Sequence, residues 1–149
     1  MDLMEDLIEG AKEELKRADH SIYVTLKYTR TVDVIKNVIK RLINACDLAM
    51  IEALEHLKKQ KKIKEIPPAS KLRANLIASS FPKLKKEITF YFMLKDVDKA
   101  LFKKKEEYRK NVALLVQFKG KELEINIDAL KKYFDRTVQF VDVLHYMAS

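Results

Sequence analysis

The sequence predicts an all-α protein, an up-and-down bundle of four to five helices with one β-hairpin at about residues 112-127 before the last helix. Three observations predict it. Apolar residues recur every three or four places through most of the 149 residues, the spacing of helices that bury one stripe. The stretch from Thr31 to Lys59 keeps that spacing for about eight turns. The period changes to two only once, across the Lys119-Gly120 pair, which marks a hairpin. No internal repeat and no linker divides the chain, so residues 1–149 read as a single domain.

The first helix is expected from Asp2 to near Leu26, with Leu3, Leu7, Ile8, Ala11, Leu15, Ala18 and Ile22 as its stripe. Asp2, Glu5 and Asp6 crowd its first turns, where the helix dipole favours acidic groups. In "VTLKYTRT" the stripe lapses and β-branched residues gather, so a break is expected near Lys27 to Arg30. The second helix should run from about Thr31 to Lys62. Val32, Ile35, Ile39, Leu42, Cys46, Ala49, Ala53 and His56 step by three and four in strict alternation, a heptad seam. A helix of that length spans roughly 45 Å, longer than a compact domain of this size. A homodimer through the first two helices is expected on that ground.

Pro67-Pro68 closes the second helix, and Ser70 is expected to cap a short third one, "KLRANLIASS", which Phe81-Pro82 ends. A fourth helix is expected from about Lys83 to Lys110, with Leu84, Ile88, Tyr91, Phe92, Val97, Leu101, Phe102 and Tyr108 as a bulky buried face. Val112, Leu114, Val116 and Phe118 then alternate on one strand, and Leu123, Ile125 and Ile127 on the next. Two strands alone are marginal, so the hairpin must lie on the helices or pair with another subunit. Asp128 is expected to cap the last helix, whose inner stripe is Leu130, Tyr133, Phe134, Thr137, Val141 and Leu144.

Composition narrows the function classes. No apolar run approaches the roughly 18–20 residues of a spanning helix, so no membrane partner is expected. The acidic "MDLMEDLIEG" is unlike a signal peptide, and the one cysteine, Cys46, cannot form a disulfide within the chain. A cytoplasmic location is the expectation. Residues 1–57 carry 8 basic and 11 acidic side chains, residues 58–110 carry 17 and 6, and residues 111–149 carry 5 of each, for a net charge of +8. The basic middle could face phosphates or an acidic partner, while abundant Lys, Glu and Ile also suit a thermophile.

Several chemistries are struck out by the residues at hand. Gly10 and Gly120 are the only glycines, too few for a glycine loop around phosphate. One cysteine cannot build a thiolate zinc site. Glu52 and His56, one turn apart, are half of a metal site with no evident second half, so neither metal nor cofactor is expected. The order of helices, "AKEELKRADHS" leading into "RTVDVIKNVIKRLINACDLAMIEAL", resembles HEPN-type all-α proteins and, more closely, an archaeal group of HEPN-like proteins. The likeness covers mainly residues 1–80. It implies a dimerising bundle, a nucleotidyltransferase-like protein partner and, in active members, a ribonuclease motif Arg-x4–6-His. Reading back from His20, His56 and His145 finds no arginine at the required distances, so that activity is not carried over.

Two groups of residues remain as candidate sites. Asn37, Arg41, Asn44 and Asp47 line one flank of the second helix. They are expected to be a polar layer that sets helix register or a dimer, or an anion site completed by Arg30. Lys58, Lys59, Lys61, Lys62, Lys85, Lys86, Lys103, Lys104, Lys105 and Arg109 could neutralise nucleic-acid phosphates, with Tyr91 and Tyr108 offering rings to bases. A non-catalytic helical interaction module is the first expectation. An RNA- or DNA-binding protein is the alternative, and an atypical nuclease or small-molecule enzyme ranks third.

Overall fold

Asp2 starts the first helix: its carboxylate accepts the Met4 N–H at 2.8 Å, and α1 runs over Leu3–His20. The coordinates are a computed structural model that describes residues 2–149. Beyond His20 the helix widens into a π turn at Ser21–Thr25, where the Leu26 N–H reaches back to the Ser21 carbonyl, and ends with Leu26–Tyr28. The expected break follows, and Thr31 caps α2, Val32–Lys59.

The heptad seam of α2 is buried at every position from Val32 to Ala53. α1 packs along one side of it and the last helix, α5 (Ile127–Ala148), along another. Gly10 lets α1 come close, since a Cβ there would stand 3.2 Å from Leu48 Cδ1. Within the chain, α2, about 42 Å long, is thus flanked by α1 and α5. Phe140, Leu42, Ile39 and Leu54 lie wholly inside, each contributing about 1.5–3 kcal/mol by its burial.

α3 spans Ser70–Ser80, and after a 3-10 turn at Pro82–Leu84, α4 spans Lys85–Lys99. Two expected caps are displaced. Ala69 occupies the cap position of α3, and Ser70 Oγ instead accepts from Lys95 Nζ at 2.6 Å, tying α3 to α4. Asn126, and not Asp128, caps α5 by accepting the Ala129 N–H at 2.8 Å, because the preceding strand passes into the helix with no loop between.

The fourth helix is also shorter than expected. It stops at Lys99, and Phe102–Lys105 forms a strand, β1, on the open edge of β2 (Ala113–Phe118), which pairs in turn with β3 (Lys121–Asn126). The hairpin is thus part of a three-stranded antiparallel sheet of order β1-β2-β3. Phe102 lies opposite Val116, and Phe118 opposite Lys121. Lys119 and Gly120 make the tight turn with φ of 52° and 76°, the paired positive values that a right-twisted hairpin needs. Leu114, Val116 and Ile125 point into the core, and the sheet packs on α2, α4 and α5. Leu101 and Tyr108, expected on a buried stripe, are 83% and 77% exposed. No described helix is long and apolar enough to cross a membrane.

Candidate functional site: a basic cleft beside a π turn

The π turn keeps Ile22 and Leu26 in the core while Tyr23 and Val24 face outward; such widened turns are frequent at functional sites. Opposite it stands the loop between β1 and β2, fastened to the α1–α2 junction by two hydrogen bonds. The Tyr108 N–H donates to the Arg30 carbonyl at 2.6 Å. The Val32 N–H donates to Glu107 Oε2 at 2.9 Å, which sets a carboxylate at the positive end of α2.

Between these walls and the start of α5 opens a cleft of about 530 Å³. Five cationic side chains line it, Lys27, Arg30, Lys105, Lys110 and Lys131, against three acidic ones, Glu106, Glu124 and Asp128. Lys105 Nζ is held 2.6 Å from Glu124 Oε1, and that hydrogen bond and charge raise its pKa. Lys131 Nζ sits 5.3 Å from the centre of the Tyr23 ring. Lys27, Arg30 and Lys110 form no ion pair among the described residues. Lys131 is likewise without an ion pair, as are Glu106 and Asp128, so five cations against three carboxylates leave the cleft a net charge of +2.

No protein-family model, curated protein or solved structure matches this chain.

The polar flank of α2 divides instead of converging. Arg41 reaches Glu14 on α1 at 3.2 Å. Asp47 accepts the hydroxyl of Tyr91 on α4, and burial, then that hydrogen bond, push the Tyr91 pKa up. Asn37 and Asn44 are exposed. Arg30 belongs to the basic cleft, while Arg41 lies in a separate shallow depression with Arg17 and His20. Cys46 is wholly buried, and burial drives its thiol pKa far up, away from nucleophilic use.

The ten basic residues marked in the sequence are also split. Lys103, Lys104, Lys105 and Arg109 belong to the strand and loop near the start of α2. Lys58, Lys59, Lys61 and Lys62 lie at its far end, about 39 Å along the helix axis from Val32. Lys85 and Lys86 open α4, and the Lys86 carbonyl accepts from Arg136 of α5. Tyr91 is fully buried, which removes it as a stacking ring, whereas Tyr108 is exposed.

A second cluster was half visible in the sequence. Glu52 is buried to 1% exposure and accepts at Oε2 from both His56 Nε2, at 3.1 Å, and His145 Nδ1, at 2.8 Å. Its other oxygen, Oε1, is buried without a partner. Both imidazoles meet one oxygen, and no group of three or more His, Cys, Asp or Glu is arranged to hold a metal ion among the described residues. The cluster joins α2 to α5. Its sequence signal is the row Val38, Ala45, Glu52, in steps of seven, which places a carboxylate on a buried line.

Proposed function

We propose that this protein is a binding module for nucleic acid, which it holds by the phosphates across the basic cleft. The supporting observation is the convergence of Lys27, Arg30 and Lys110, from the end of α1, the α1–α2 junction and the β1–β2 loop, on one concavity with no carboxylate bonded to any of them. Gathered like charges repel one another, and a polyanion relieves that cost while releasing its own counterions. The chain's net charge of +8 acts in the same direction by drawing such a ligand inward from a distance. This reading keeps the module character expected from the sequence and assigns the partner by charge.

The test is fluorescence anisotropy with a labelled mixed-sequence RNA between 50 and 200 mM salt. With three to five phosphates neutralised, log K should fall against log salt with a slope of about −2 to −3.5. The Lys27→Gln/Arg30→Gln/Lys110→Gln chain should bind at least tenfold more weakly at low salt and show a shallower slope. No binding at 50 mM salt, or full binding by the triple variant, overturns the proposal.

A further inference from the structure

We infer that the nucleic acid is taken as a single strand, with unpaired bases stacking on Tyr108 and Tyr28 beside Arg30; this rests on the nucleic-acid reading of the cleft. Tyr28 is 84% exposed and Tyr108 77% exposed. Neither ring covers any of the core, yet both stand next to Arg30: Tyr28 is two residues before it, and Tyr108 donates its N–H to the Arg30 carbonyl.

The backbone at Tyr108 sharpens the case. Its φ is +67°, a left-handed conformation that bulky side chains rarely adopt. Two hydrogen bonds fasten the loop in that state, one at Tyr108 itself and one at Glu107. Glycine would satisfy the same backbone at no steric cost, so the aromatic residue is there against the local preference. The backbone that carries the ring is thus fixed in place while the ring itself stands in solvent, open to contact.

A duplex hides its base faces and presents phosphates, whereas a single strand exposes both. Cations beside solvent-facing rings are the pairing that takes the latter. The cleft, at about 530 Å³, is on the scale of a small-ligand pocket, with room for a nucleotide or two. Lys131 at the Tyr23 ring extends the same alternation of charge and ring along the π turn.

The experiment compares a labelled 12-nucleotide single strand with the same sequence as a duplex, on the full chain and on two variants. The parent should bind the single strand at least tenfold tighter than the duplex. Tyr28→Leu/Tyr108→Leu should lose roughly 10- to 30-fold on the single strand, given the stacking contribution of each ring. Its salt slope should be unchanged, and its duplex binding little altered. Tyr108→Gly keeps the loop's backbone and relieves φ, so it should melt no lower than the parent and yet bind the single strand several-fold more weakly. A duplex preference, or parent-like binding by both variants, overturns the stacking inference while leaving the phosphate reading intact. Failure of every probe to bind the parent overturns both.

Discussion

His145→Leu removes the closer of the two imidazoles that hold Glu52. In the native chain that carboxylate is 1% exposed, with His145 at 2.8 Å, His56 at 3.1 Å and one oxygen already unpartnered. A hydrogen bond to a charged group contributes about 1.5–3 kcal/mol, and breaking a fully buried pair costs about 3–5 kcal/mol. The His145 side chain is 44% exposed, so water can reach part of the vacated space, and the lower range applies. The expected loss is about 1.5–3 kcal/mol, or about 3–12 °C in Tm for a chain of this length. The cost arises from a stranded charge, so removing the charge should reverse it. Glu52→Met added to His145→Leu should recover most of the stability, because an apolar replacement of a buried ion pair is commonly neutral or better. Urea denaturation at pH 7 of the parent, both single variants and the double variant closes the cycle. A His145→Leu chain within about 0.5 kcal/mol of the parent would show that the clasp holds nothing. A double variant no more stable than His145→Leu would show that lost packing, and not charge, was the cost.

The Tyr91–Asp47 bond and the hairpin turn offer two further tests. Tyr91 is kept neutral in the fold by burial and by its bond to Asp47. An unfolded tyrosine ionises near pH 10, so the contribution is complete below about pH 10 and is lost as pH rises past it. Urea midpoints measured from pH 8 to 11 should fall steeply in the parent and less steeply in Tyr91→Phe, which should also be about 1–2 kcal/mol less stable at pH 7 because Asp47 loses its donor; parallel curves would refute this. At the hairpin, Gly120 has φ of 76° and open space where a Cβ would go. Gly120→Ala should therefore cost about 1–2 kcal/mol through backbone strain alone, read as a lowered Tm with unchanged nucleic-acid affinity; an unchanged Tm would refute it.

The parts of the fold legible in the sequence are those where burial itself sets a period. Val32 to Ala53 repeat by three and four because one long face of α2 is covered from both sides. Lys119-Gly120 announces its hairpin because the turn demands positive φ at both residues. The failures fall where a distant partner decides. Nothing local in "FKKK" favours a strand; Phe102–Lys105 extends because β2, eight residues further on, has an open edge to pair with. Its exposed lysines then guard the new edge against further pairing. The cleft was only partly visible for the same reason. Arg30, Lys105 and Lys110 lie in stretches the sequence already singles out, but they meet Lys27 and Lys131 only after three separate segments are brought together. The same holds for His145, which reaches Glu52 from 93 residues away.

One coincidence joins these failures to function. The segment read as the end of a helix, Leu101 to Lys110, is where the chain forms an edge strand, leaves Leu101 and Tyr108 in solvent, and puts a tyrosine in a left-handed backbone. The same segment builds one wall of the basic cleft. Folding alone would be served better by a glycine at 108 and a polar residue at 101. Local preference and global structure agree through most of a natural protein, and they part company where the chain is selected for something besides stability. The proposed binding surface falls on this strained loop, with its cations and its exposed ring.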